Sequence, residues 1–438
     1  MADSAGKSRQ LKLQALIRVR PLRYTFATLL VVAVCAGALV INDRSGQTVS
    51  AATAVSAPSL GAQHAGAGPE ALLSSTLHEL GNRRLEAAVT EIDKVIREYP
   101  NFRLAHLIRG DLLLARARPL TTVGNAKGAP LDRLEELRAE ARARLTRMQQ
   151  QRPVNLVPRY VLQLQPEQRH ALVVDTARST LYVFENRDGE ARYVTDYYVS
   201  IGKNGIDKFR AGDNKTPLGV YHVTGRMSRE KLVTTYGKLA EQYGIGALPI
   251  NYPNEWDRRE RRNGHGIWLH GVPFDTYSRP PLASNGCIAL TNEDYTTISN
   301  EVQIGLTPVI IVTGMDWVAP GAGRALRNEL MEQVENWRRD WENRDVESYL
   351  AHYSEGFSAG RTTLKKWTAH KRKANAGKTW IRVKLDRVSI FLYPGRDDLA
   401  VVTFDQNYAS NNLVQQMRKR QYWIREDGAW RILHEGAA

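Results

Sequence analysis

At 438 residues the chain is too long for one small module and predicts two to four domains at roughly 100–200 residues each. Apolar residues at 42% and charged residues at 24% exclude wholesale disorder, and 33 glycines with 18 prolines exclude collagen-like or low-complexity architectures. The 61 Lys and Arg against 46 Asp and Glu leave +15, which favours acidic partners without choosing between nucleic acid, anionic lipid and a polyanionic wall polymer.

Residues 1–23 form a basic segment in which Lys7, Arg9, Lys12, Arg18, Arg20 and Arg23 are opposed only by Asp3. Residues 24–41 are uncharged, and 18 residues at 1.5 Å of helical rise each span about 27 Å, enough to cross a bilayer core. Basic residues before the run and Asp43 after it predict a cytoplasmic N-terminus, a single-pass membrane anchor and the remainder of the chain outside. An anchor is preferred to a cleaved signal because the small-residue site Ala52-Thr53-Ala54 lies about a dozen residues past the run. Lipid attachment at Cys35 is weaker still, since Val34 is bulky where a small residue is expected. Seven basic and two acidic residues precede position 45, so the exported part keeps about +10. The reading is therefore no nucleic acid, and an anionic envelope polymer or membrane surface as the natural partner.

Residues 42–70 are rich in Ala, Ser and Gly without an apolar period and read as a flexible linker. From 71 to 152 the period is helical: Leu73, Leu77 and Leu80, then Ala88, Ile92, Val95 and Ile96, a stop at Tyr99-Pro100-Asn101, a helix through Ala105, Ile108 and Leu112, and a charged helix near 131–150. The Gly81…Ala87-Ala88…Tyr99-Pro100 pattern looks like one tetratricopeptide-type helix pair, and one unit makes no solenoid. This section reads as a helical cap without chemistry, with dimerisation through it or through the terminal section as a further expectation. Residues 153–316 turn mainly β, with runs at Ala171–Val174, Thr180–Phe184, Tyr193–Ser200 and Pro308–Val312. After the linker Pro320-Gly321-Ala322-Gly323, residues 324–438 begin with a helix carrying Leu326, Leu330, Val334, Trp337 and Trp341 on one face. Four alternating runs near 380–393, 399–410, 416–426 and 429–435 then predict an antiparallel meander. The fold class is multidomain α+β.

The chemistry gathers between Tyr252 and Leu290. The strand-like Gly266-Ile267-Trp268-Leu269-His270-Gly271 ends in a histidine, and Ser284-Asn285-Gly286-Cys287 follows. Cys287 is the one cysteine of the exported part, so it forms no internal disulfide there and its retention asks for a reason. A thiol is mostly protonated at neutral pH, and an imidazole beside it supplies the base that makes it a nucleophile. Gly286 permits the tight turn that exposes Cys287, and amides around Gly286 and Cys287 suit a tetrahedral oxyanion. The histidines show no metal-ligand spacing, so neither a metal nor a cofactor is expected.

The arrangement His270-Gly271…Ser284-Asn285-Gly286-Cys287 resembles the signature of the L,D-transpeptidases, and Asp213-Asn214-Lys215-Thr216-Pro217-Leu218-Gly219-Val220-Tyr221 is similar to their Thr-Pro-x-Gly-x-Tyr strand. The two motifs stand in the family's order and cover about residues 155–314. The resemblance implies a β-rich catalytic fold acting on peptidoglycan stem peptides, with Cys287 as nucleophile, His270 as base and Gly271 as the residue whose carbonyl orients the imidazole. Ser284 and Asn285 correspond to pocket-shaping positions. Many members carry arginine two residues after the cysteine, where this chain has Ala289, so one expected peptide or carboxylate anchor is missing. The terminal section, with Trp337, Tyr349, Phe357 and Gly428-Ala429-Trp430-Arg431-Ile432, resembles the NTF2-like α+β cone. A catalytic domain followed by such a cone resembles the cell-shape L,D-carboxypeptidases of helical bacteria.

Tyr252, His265 and Trp268 are further expected substrate contacts, weighed against core packing for Tyr252 and Trp268 and a surface turn for His265. The run Arg258-Arg259-Glu260-Arg261-Arg262 reads equally as a steering patch for an acidic stem or as a solvated loop. The resulting expectation is a thioester-forming acyltransferase that passes the stem to an amine, giving a 3→3 cross-link, or to water, giving an L,D-carboxypeptidase. The competing class is a wall-binding scaffold without catalysis.

Overall fold

The computed structural model describes residues 69–120, 122–125, 128–149 and 155–438. The anchor at 24–41, Cys35 and the linker up to residue 68 lie outside the described residues. Among the described residues, no helix is long and apolar enough to cross a membrane.

Four helices open the described chain: α1 (Pro69–Gly81), α2 (Leu85–Glu98), α3 (Arg103–Ala115) and α4 (Leu131–Gln149). The apolar stripes of α2 and α3 close a small core around Ile92, Val95, Phe102, Leu104 and Leu112. Asp111 in α3 accepts from the amides of Gly124 and Asn125 at 2.5 and 2.9 Å, so a buried carboxylate holds the connection toward α4.

The section at 153–316 is built on a five-stranded sheet. Glu190–Tyr198, Thr180–Arg187 and His170–Asp175 run as an antiparallel meander, then Pro308–Val312 pairs parallel to His170–Asp175 and antiparallel to Gly219–His222. Leu172, Val174, Val309 and Ile311 face a core shared with a second sheet, in which Trp268–His270 lies between Gly246–Pro249 and Ile288–Ala289. The predicted strands at 171–174, 180–184 and 308–312 stand in this sheet. Three helices, Arg229–Tyr236, Glu255–Arg259 and Asn292–Glu301, interrupt the section that the sequence reading took as mainly β. They are short: Ser228, Asn254 and Thr291 cap them, and 5–10 residues give too few turns for an amphipathic period to register.

The terminal section wraps helices Arg324–Glu342 and Leu364–Ala376 around a strongly paired sheet. Its predicted meander appears as Ile381–Leu392, Leu399–Ser410, Leu413–Glu426 and Ala429–Ala437. Tyr353–Ala359 pairs parallel to Ala429–Ala437, and the two-residue strand Thr362–Thr363 pairs antiparallel to Tyr353–Ala359 at that edge. At the other edge Val161–Gln163 joins the same sheet beside Ile390 and Phe391, although it belongs to the segment assigned to the catalytic section. The two sections also share a core in which Val173, Tyr182 and Ile310 meet Phe391, Val401 and Tyr422. Trp256 stacks on Tyr422 with ring centroids 5.3 Å apart, Arg420 pairs with Glu255 at 3.2 Å, and Arg259 donates to the Gly356 carbonyl at 2.9 Å. Arg262 pairs with Asp207 at 2.9 Å. Arg259 of the basic run is thus spent on the joint with the terminal section, and Arg262 on an ion pair within the catalytic section.

Candidate active site

The strand that ends in His270 runs parallel to the one that follows Cys287: Leu269 is opposite Ile288 and His270 opposite Ala289. The Leu290 amide donates to the His270 carbonyl at 2.9 Å, extending that ladder beyond the strand. The imidazole Nδ1 lies 2.6 Å from the Gly271 carbonyl oxygen. A carbonyl only accepts, so Nδ1 carries the proton and Nε2 is left as the basic nitrogen. Tyr243 meets the ring edge-on with centroids 5.2 Å apart, and Trp268 packs on Tyr243 at 4.8 Å. The aromatic wall beside the histidine therefore comes from Trp268 together with the Gly237–Tyr243 turn.

The Cys287 thiol is 8% exposed and donates to the Gly266 carbonyl at 3.2 Å. Burial pushes its pKa up to about 11, against the Trp268 amide and the charges of Lys208 and Arg279, which favour the thiolate. Burial pushes His270 down to about 3, and the Arg279 charge adds to that while the Gly271 carbonyl opposes it. The resting pair is a neutral thiol and a neutral imidazole.

The turn before Cys287 is held from several directions. Ser284 Oγ donates to the Cys287 carbonyl at 2.6 Å and accepts from the Gly286 amide at 3.1 Å. The Gly286 amide, one of the expected oxyanion donors, is thus engaged by Ser284. Gly286 has φ +121°, and a Cβ there would stand 2.6 Å from the Lys215 carbonyl oxygen, so no other residue fits. Thr216, from the second motif, accepts from the Gly202 amide and donates to the Gly286 carbonyl, both at 2.9 Å. Asp213 caps the same loop. Against its burial, Lys208 at 2.6 Å and the amides of Arg210, Phe209 and Lys215 hold its carboxyl well below the usual range.

The other predicted contacts divide. Trp268 lies beside His270 as described. Asn285 is exposed at the turn, and His265 is exposed in the loop before the histidine strand. Tyr252 is buried in the core, its ring 6.0 Å from Tyr221 and its hydroxyl on the Asn263 carbonyl at 3.1 Å, so it packs the fold rather than lining a groove. Among the described residues no cluster of His, Cys, Asp and Glu is arranged to hold a metal ion.

The sequence reading passed over two cations and the role of the helices. Lys208 and Arg279 both act electrostatically on Cys287. Arg279 sits in the loop between His270 and Cys287, and that loop is clamped by the helical section. Tyr277 packs on Tyr99 at 4.7 Å, Ser278 Oγ accepts from the Leu104 amide at 2.8 Å, and buried Glu140 of α4 faces the Arg279 backbone. Arg144 of α4, bonded to Glu140 at 2.9 Å, lies 4.1 Å from the centre of the Tyr198 ring. The cap thus shapes the loop that carries part of the site.

A model of the L,D-transpeptidase catalytic domain matches residues 169–311, and a model of the Cds6 C-terminal NTF2-like domain matches residues 329–436. Among solved structures, Bd1075 of Bdellovibrio bacteriovorus is 30% identical with a TM-score of 0.55, the match covering 65% of this chain and 98% of that one. The helical cell shape determining protein Pgp2 from Campylobacter jejuni is 23% identical with a TM-score of 0.53, covering 63% of this chain and 95% of that one, and shares the fold. No curated protein matches by sequence. With both domain models matched and 98% of a 30%-identical relative covered, this chain belongs to the L,D-transpeptidase family and carries an NTF2-like domain behind its family domain.

Proposed function

We propose that the chain is a cysteine acyltransferase acting on peptidoglycan stem peptides. The observation that carries this reading is the His270 Nδ1 to Gly271 carbonyl bond at 2.6 Å, on a strand paired directly with the one that follows Cys287. It fixes the tautomer in which Nε2 accepts a proton. In the proposed reaction Nε2 takes the Sγ proton as sulfur attacks the carbonyl carbon of the third stem residue. The Cys287 amide donates to the oxyanion that forms. Collapse breaks the C–N bond to the terminal D-alanine, and His270 returns its proton to the leaving amine. The thioester is then attacked by an acceptor that gives a proton to Nε2, and the thiolate leaves and recovers that proton. An amine acceptor yields a 3→3 cross-link, and water yields a tripeptide. No step calls for a metal or cofactor.

The chemistry begins from the neutral pair described above, so sulfur becomes nucleophilic only as its proton moves to His270. The proposal includes the location: residues 24–41 anchor the chain in the inner membrane and the catalytic part works in the periplasm, where stem peptides are found. The test is muropeptide analysis after incubating tetrapeptide-rich sacculi with the full chain and with Cys287→Ala. Tripeptides without new dimers mark a carboxypeptidase and 3→3 dimers a transpeptidase. Identical products from the two proteins overturn the reading and leave the scaffold in its place.

A further inference from the structure

Two cations act on the nucleophile, and they are not equivalent. Lys208 is 3% exposed and bound to Asp213 at 2.6 Å and to the Arg210 carbonyl at 3.2 Å, so its charge is already compensated. Arg279 is mostly buried and faces the Tyr198 hydroxyl and the Glu140 carboxylate, which is shared with Arg144, yet its Nε is sealed from solvent without a hydrogen-bond partner. Its charge is felt by both His270 and Cys287.

The backbone explains how it comes to stand there. The Tyr198 hydroxyl donates to the Arg279 carbonyl and Ser200 Oγ to the Pro280 carbonyl, each at 2.8 Å. Ser200 in turn exchanges backbone hydrogen bonds with Ala289, at 3.0 and 2.9 Å. Arg279 is therefore carried on a segment only one strand away from Ala289, the second residue after the nucleophile, whose small side chain supplies no charge. A guanidinium placed in this way, with an unused donor, matches a planar carboxylate. The scissile carbonyl and the terminal carboxylate of a tetrapeptide belong to consecutive residues, about 3.8 Å apart along the chain. A cation beside the nucleophile is therefore within reach of the free end.

We infer that Arg279 binds the terminal carboxylate of the donor stem and so restricts the site to stems with a free end, with the helical section, through Glu140, holding the arginine's segment in place. This rests on the acyltransferase reading and specifies which feature of the stem is recognised.

The experiment separates the two. Binding of a synthetic tetrapeptide ending in D-alanine, and of the same peptide ending in D-alaninamide, is measured by calorimetry on the full chain carrying Cys287→Ala. The acid is expected to bind about 10- to 100-fold tighter than the amide. Adding Arg279→Gln is expected to bring the acid down to the affinity of the amide while leaving the amide unchanged, and Arg279→Lys to restore part of the preference. A purely structural arginine would weaken both peptides alike. That result, an unchanged preference in Arg279→Gln, or no binding of either peptide overturns the inference. An Arg279-dependent preference in a protein that leaves sacculi unaltered would instead overturn the acyltransferase reading and keep the anchor.

Discussion

The Glu435 network of the terminal domain and the candidate active site both bury ionisable groups, and they treat them in opposite ways. In the terminal domain Glu435 accepts from Lys419 at 3.1 Å, Gln421 at 2.9 Å and the Tyr353 hydroxyl at 3.1 Å, and Trp337 closes the network by donating to Tyr353 at 3.1 Å. Despite full burial, Lys419, Lys371 and these donors keep the Glu435 carboxyl below its usual pKa. Lys371 rests over the Trp367 ring at 4.4 Å, and burial brings it down to about 8. At the active site, burial drives the thiol and imidazole to their neutral forms and leaves the Arg279 Nε without a partner. A satisfied network rigidifies a domain, whereas an unsatisfied one is held ready for something that arrives.

The largest expected effect breaks the first half of that contrast. Glu435→Ala strands Lys419 in the interior and should cost about 3–5 kcal/mol, seen as a large fall in the melting temperature of the terminal domain. Arg279→Gln should cost far less, a fall of about a few degrees at most, because the Nε it removes has no bond to lose and Glu140, which faces it, keeps Arg144. Equal losses from the two substitutions would erase the distinction between the sites.

The pH dependence of the thiol sharpens the other half. A pKa raised to about 11 means the thiolate fraction grows about tenfold per unit as pH rises and is still growing at pH 10. Alkylation of Cys287 by iodoacetamide, followed on its own peptide by mass spectrometry, should therefore accelerate about a thousandfold from pH 7 to pH 10, equivalent to about 4 kcal/mol. A thiolate–imidazolium pair would instead give a rate that is flat above pH 5. The acid limb of turnover should fall well below pH 6.5, because His270 loses its basic form only as pH drops through a depressed pKa.

What the sequence made legible follows from range. His270, Gly271 and the Ser284–Cys287 turn are local, and their spacing could be read because the chemistry requires those types in that order. The meander of the terminal domain was equally plain, since alternating runs between turns carry their own period. Val161–Gln163 left no such trace: three residues have no period, and their place is decided by the edge offered by Ile390 and Phe391. Arg279 left none either, because Tyr198, Ser200 and the helices determine its position. Tyr252 was legible only as an aromatic near the motif, and the choice between groove and core was made by Tyr221.

The nucleophile turn offers a finer test of the same division, since it is the one part of the site built as tightly as the terminal network. Gly286→Ala combines a positive φ with a Cβ 2.6 Å from the Lys215 carbonyl oxygen and should cost about 2–4 kcal/mol as well as turnover. Thr216→Val is gentler. It keeps the shape but removes a fully buried hydroxyl that joins the Gly202 amide to the Gly286 carbonyl, so a donor and an acceptor are stranded at a cost of about 1–3 kcal/mol. Hydrogen exchange should show the Gly202 amide losing protection, and turnover should fall with it because the Cys287 amide is no longer held in place. Thr216→Ser retains the hydroxyl and should behave as the wild type in both measurements. If Val and Ser are indistinguishable, the second motif contributes packing alone, and the turn is held by Ser284.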